Sequence, residues 1–226
     1  MRSRIFSLIF SIRLVGLLLS AVALWIFAQI AEEVLEQETQ RLDKGILLAI
    51  RRLHTPLGDR IVLGITFLGE PVVLLVVCLG LGAGLVYYHR RSQATTLGIA
   101  AIGAIGLNYL LKVLFGRARP ELWNRIIDVS QYSFPSGHAM ISLVIYGFVG
   151  YLLAKQFPHW QKWIFALTVV LVVAIGFSRL YLGVHWPTDV AAGYAAGIVW
   201  LIACILSLEV WQMYRSSGNS SSQAPN

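Results

Sequence analysis

The sequence predicts an all-α fold, a polytopic membrane bundle of about six transmembrane helices with an extracytoplasmic amphipathic helical segment. Three observations carry this. Of 226 residues, 57% are hydrophobic and only 13% charged, where an ordinary soluble domain carries about 25% charge. The mean hydropathy is +0.70. Apolar runs approach the ~20 residues that a helix needs to cross a hydrocarbon core, and they recur along the chain.

The first run extends from about Ile12 to Ile30, behind Arg2 and Arg4. Ala21-Val22-Ala23 within it resembles a secretory cleavage site, but the apolar run continues past that point, so an uncleaved helix is expected. The second runs from about Pro71 to Tyr88, with Pro71 suited to a first helical position. The third covers Thr95 to Phe115, the fourth Ser136 to Leu153, the fifth Trp163 to Leu182 and the sixth Pro187 to about Val210. Between the first two, Ile46, Leu47, Ile50 and Leu53 share one helical face with Arg51 and Arg52 off it, the pattern of an interfacial amphipathic helix. Ile61 to Leu68 is too short to span and is expected at the surface or capping the bundle. Residues 1–215 thus form one transmembrane domain, and 216–226, SSGNSSSQAPN, read as a disordered tail.

The net charge of +7 gives no support to a nucleic-acid partner, because the basic residues are scattered among apolar runs and form no dense stripe. Cys78 and Cys204 each lie inside an apolar run and read as small buried hydrophobes, with no metal-ligand spacing. Trp25, Trp123 and Trp186 near span ends suit an interfacial belt. The short loops His89 to Gln93 and Lys155 to Lys162 carry basic residues and no acids, which places them on the inner face.

The polar residues that interrupt the pattern fall into three clusters. KVLFGRARPELW holds Lys112, Arg117 and Arg119; SFPSGHAM holds Ser136, Gly137 and His138; SRLYLGVHWPTD holds Arg179, His185 and Asp189. Span three exits where span four enters, and span five returns to that side, so all three clusters meet one membrane face. The nearest acids, Glu121, Asp128 and Asp189, are too few and scattered for a magnesium site of the usual phosphoryl-transfer kind. Guanidinium and ammonium groups would then balance an anion, and arginine's planar fork matches phosphate oxygens. Pro135-Ser136-Gly137 at a helix start offers free backbone N–H groups to an oxyanion. Imidazole can serve as nucleophile or proton donor near neutral pH. His185 lies four residues before Asp189, whose carboxylate can hold one ring nitrogen while the other attacks. His138 has no acid close in sequence and suits the proton donor. Glu70, beside Pro71, reads as favouring the helix dipole, with a place near the site as the alternative.

These residues carry a family resemblance. K-x-x-x-x-x-x-R-P runs from Lys112 to Pro120, P-S-G-H from Pro135 to His138, and S-R-x-x-x-x-x-H-x-x-x-D from Ser178 to Asp189. Over about residues 61–210 the chain resembles the phosphatidic acid phosphatase type 2 superfamily, lipid phosphate phosphatases that share a core with vanadium haloperoxidases. The resemblance implies that Lys112, Arg119 and Arg179 bind the phosphate with Ser136 and the Gly137 amide. His185 would form a phosphohistidine, Asp189 would orient it and His138 would protonate the leaving group, with no metal or other cofactor. It also implies an extracytoplasmic site, in accord with the loop charges, in a plasma-membrane protein. Arg117 is not a motif position, and its assignment rests on proximity alone.

The expected partners are the bilayer and a membrane lipid phosphate: phosphatidylglycerol phosphate, undecaprenyl diphosphate or phosphatidic acid. The small size resembles bacterial members acting on the first two. Nothing in the sequence sets the oligomeric state. Two alternatives remain open, a phosphotransferase using the same intermediate and a non-catalytic lipid-phosphate binder or transporter. Haloperoxidase activity is not expected, since those relatives are mostly soluble.

Overall fold

The computed structural model describes the backbone of residues 2–123, 127, 129 and 131–221, and the side chains of those between 13 and 215. The described residues form helices joined by turns and loops, without strands: α1 (Arg2–Leu35), α2 (Gln40–Arg51), α3 (Pro56–Phe67), α4 (Pro71–Tyr87), α5 (Arg91–Phe115), α6 (Gly137–Gln156), a 3₁₀ turn at Pro158–Trp160, α7 (Gln161–Tyr181) and α8 (Pro187–Ser221). α8 continues into the start of the polar tail, and the rest of that tail, 222–226, lies outside the described residues.

Five helices are long and apolar enough to cross a membrane, namely α1, α5, α6, α7 with its preceding turn, and α8. α3 and α4 pass the same test only when taken together, across a bend of 44°, and as one broken span they would make a sixth crossing. The bend falls where Gly69 and Glu70 precede Pro71, because proline lacks the N–H that would continue the helix through it. Large apolar side chains such as Leu18, Ile102, Trp163 and Leu167 face outward. In water they would be costly; against lipid they are the expected surface.

α6 lies at the centre, packed on α5, α7 and α8, while α1 lies along α8 and α4 along α5. Its Met140, Val144 and Phe148, spaced four apart, are buried on one face. Ala100 and Ala104 of α5, Val144 of α6 and Cys204 of α8 share one cluster of the core. Gly193 brings α8 close to the start of α6, since a Cβ there would stand 2.8 Å from the Ser136 carbonyl oxygen. Cys204 is buried as expected, but Cys78 is only half-buried and borders a cavity.

The amphipathic segment is helical, and its apolar stripe divides between the protein and the outer surface. Leu47 and Ile50 of α2 are buried, but Ile46 and Leu53 are exposed, and the third buried residue is Asp43. Positions 43, 47 and 50 form one row along the helix. That row faces inward because Asp43 pairs with Arg117, 2.8 Å away. The tryptophans also divide. Trp25 is exposed, whereas Trp186 donates its indole N–H to the Ala118 carbonyl at 3.0 Å and Trp123 lies half-buried against Gly183.

Candidate active site

Four helix ends build one site. α5 ends at Gly116, whose left-handed φ of 55° suits glycine and turns the chain toward Arg117 and Arg119. α6 begins at Gly137, α7 ends just beyond Arg179, and α8 begins at Pro187. The loop before α6 is pinned to α8 by the Ser136 N–H donating to the Asp189 carbonyl at 2.9 Å, and to α5 by Asn108 donating to the Pro135 carbonyl at 3.2 Å. α2 packs against this same face, since Thr39 at its N-cap and Asp43 reach Arg117 and Ile50 packs against Tyr181 and Val184.

A cavity of about 610 Å³ opens among these ends. Lys112, Arg119, Gly137, His138, Arg179, His185 and Glu70 line its polar end. Below them the walls are apolar, Pro71, Leu74, Leu75 and Cys78 from α4 and Ala101, Ile102 and Ile105 from α5. Leu75, Ile102 and Ile105 are also exposed on the outer surface, so the cavity reaches the lipid-facing side between α4 and α5.

His185 is buried between two partners. Its Nδ1 lies 3.3 Å from Asp189 Oδ2 and its Nε2 lies 3.1 Å from Arg119 Nη1. A guanidinium can only donate, so Nε2 accepts, and Nδ1 carries the proton toward the carboxylate. Burial pushes the imidazole down to about 3, with Arg119 and Arg179 adding to that and Asp189 opposing it. The ring is therefore neutral at physiological pH with a lone pair on Nε2. Asp189 itself is fully enclosed. Its Oδ2 also accepts from Ser133 Oγ and from the Trp186 N–H at 2.8 Å, and its Oδ1 accepts from Arg117 at 2.6 Å.

The cations donate hydrogen bonds to the loops and helix ends around them. Lys112 Nζ donates to the Tyr132 carbonyl, Arg119 to the Gln131 and Val184 carbonyls at 2.6 Å each, and Arg179 Nη1 to Thr66 Oγ1 at 2.6 Å. Arg179 Nε and Ser136 Oγ are buried with no hydrogen-bond partner among the described residues. His138 Nε2 faces Glu70 Oε1 at 3.3 Å.

A family model described as the PAP2 superfamily matches residues 93–212. The chain belongs to the PAP2 superfamily. Phosphatidylglycerophosphatase B of Bacillus subtilis is 32% identical over 183 residues, covering 79% of this chain and 89% of that protein. An undecaprenyl-diphosphatase of Sulfolobus acidocaldarius is 35% identical over 120 residues, 50% of this chain and 54% of that protein. A crystal structure of a transmembrane PAP2 type phosphatidylglycerolphosphate phosphatase from Bacillus subtilis superposes with a TM-score of 0.79 at 28% identity, over 84% of this chain and 96% of that one.

Within this PAP2 chain, every residue singled out from the three motifs lies at the one site. Lys112, Arg119, Gly137, His138, Arg179 and His185 border the cavity, while Ser136 and Asp189 are buried behind it. Among the other acids weighed from sequence, Asp128 lies outside the described residues. The sequence analysis missed Asp43 and left the roles of Arg117 and Glu70 open. Arg117 is the centre of a network joining Asp43, Thr39, Thr188 and Asp189. Asp43 gave one usable signal, an acid on the same helical row as Leu47 and Ile50. Glu70 stands at the N-cap of α4, where its charge suits the helix dipole, but its side chain makes no cap hydrogen bond and contacts His138. Its signal was an acid interrupting the apolar stretch from Ile61 to Leu79.

Proposed function

We propose that this PAP2 enzyme hydrolyses the terminal phosphate of a membrane lipid through a phosphohistidine on His185, without a metal. The observation that carries this is the His185 ring itself, neutral, fixed by Asp189 through Nδ1 and aiming Nε2 at a cationic cavity. The phosphate sits among Lys112, Arg119 and Arg179, with the unpartnered Ser136 hydroxyl, Arg179 Nε and the Gly137 amide as further donors. Nε2 attacks phosphorus, the bond to the lipid oxygen breaks, and His138, entering as the imidazolium beside the bound phosphate, gives that oxygen its proton and is left neutral. Water, deprotonated by His138, then cleaves the phosphorus–nitrogen bond, releasing inorganic phosphate and restoring neutral His185.

Three cations supply the charge balance that a metal gives elsewhere, and among the described residues no three His, Cys, Asp or Glu side chains gather as ligands. The apolar walls of α4 and α5 suit a lipid tail, which supports an amphiphile such as phosphatidylglycerol phosphate, phosphatidic acid or undecaprenyl diphosphate. The basic inner loops support a site on the extracytoplasmic side of the plasma membrane. Phosphate release from a panel of lipid phosphates and diphosphates, with EDTA present, tests the reading. His185→Ala should abolish release and acid-labile labelling of the protein by ³²P. Activity lost to EDTA and restored by magnesium would overturn the metal-free mechanism, and a phosphorylated acceptor without free phosphate would make it a transferase.

A further inference from the structure

Glu70 is an acid at the polar end of a cavity otherwise rich in cations, and the mechanism above leaves it unused. It caps α4 by position only, because its carboxylate bonds to no N–H of that helix. Instead it is partly open to the cavity and stands 3.3 Å from His138 Nε2. In an in-line displacement the nucleophile and the proton donor address opposite sides of the phosphorus. With His185 attacking, His138 and therefore Glu70 belong to the leaving-group side.

The apolar wall begins at once below Glu70, with Pro71, Leu74 and Leu75 on the same helix. A lipid whose tail lies between α4 and α5 must therefore pass the polar link between tail and phosphate beside Glu70. In a lipid diphosphate that link is a second phosphate, an anion against a carboxylate. In a phosphate monoester on a glycerol-type or sugar-type head group, the group next to the phosphate carries a hydroxyl that can donate to the carboxylate, and any second phosphate lies beyond that group. Like-charge juxtaposition is a standard means of rejecting a competing ligand.

We propose that Glu70 is a specificity-determining residue that selects a lipid phosphate monoester with a hydroxyl-bearing head group over a lipid diphosphate. The proposal rests on the phosphohistidine reading, which assigns His138 to the leaving oxygen. It is distinct from a role in merely holding His138, which would affect every substrate alike.

The test compares wild type and Glu70→Gln, as the full chain in nanodiscs, on phosphatidylglycerol phosphate and farnesyl diphosphate. The expected result is a wild-type preference for the monoester, and a shift of the kcat/KM ratio toward the diphosphate by about tenfold in the variant. Glu70→Asp keeps the charge and should keep the preference; Glu70→Ser replaces the glutamine variant should that one not fold. Equal losses on both substrates, leaving the ratio within twofold, would overturn the proposal and leave the phosphatase reading standing. Should wild type release phosphate from neither probe, the phosphatase reading fails, and binding still decides on Glu70. Its removal must tighten inorganic pyrophosphate relative to orthophosphate, and an unchanged ratio of the two Kd values overturns the proposal.

Discussion

At the scale of single residues, the pairing of His185 with Asp189 makes two predictions. Asp189→Asn would present an amide to Nδ1, free the ring to take the other tautomer and place a proton on the attacking nitrogen. The expected loss in kcat is about 10²–10⁴-fold with KM little changed, measured as steady-state phosphate release. The second concerns pH. With His185 down near 3, the acid limb of kcat/KM should not fall at the ordinary histidine value of about 6.5, because the free enzyme keeps its lone pair well below it. A limb near 6 would belong to the substrate phosphate, and repeating the profile with a fluorinated phosphonate of lower pKa should move it. The same shift bears on stability. A histidine whose folded value lies below its unfolded one contributes stability that is whole above about pH 6.5 and is lost as the pH falls toward about 3. Thermal unfolding followed from pH 7 to pH 4 should therefore show a declining Tm, with a smaller decline in His185→Gln.

At the scale of elements, α2 is tied to α8 through a buried ion pair. Arg117 is nearly enclosed between Asp43 and Asp189, both fully buried. Removing one member strands a buried charge, and Asp43→Asn should cost on the order of 3–5 kcal/mol in stability. The double variant Asp43→Asn with Arg117→Met should cost less than the sum of the single changes, which denaturant unfolding can measure. The contact between α6 and α8 is tested at Gly193. A valine there meets the Ser136 carbonyl, so Gly193→Val should push the two helices apart, and loss of activity should exceed loss of folded protein. This scale also separates what the sequence discloses from what it hides. Lys112, His138, His185 and Asp189 were legible because their spacing lies within single helix ends, where the chain itself sets the geometry. The partnership of Glu70 with His138 spans 68 positions and that of Asp43 with Arg117 spans 74. Such pairs depend on how helices dock, which no local periodicity encodes. On α2 the buried row takes in Asp43 beside Leu47 and Ile50, a placement that its ion pair with Arg117 explains and the apolar pattern alone does not.

At the scale of the whole molecule, helix parity places the site opposite the short loops after α4 and α6. Single cysteines introduced at Arg52 and at His89 in a Cys78→Ala, Cys204→Ala background should report this. A membrane-impermeant thiol reagent applied to intact cells should label the first and spare the second; the reverse pattern would put the site on the cytoplasmic face. The opening between α4 and α5 has a kinetic consequence as well. A substrate arriving through Leu75, Ile102 and Ile105 meets the enzyme from within the leaflet, so encounters occur in two dimensions. Velocity should then follow the mole fraction of substrate in the film. Adding inert detergent or lipid at fixed bulk concentration should slow turnover, the behaviour called surface dilution.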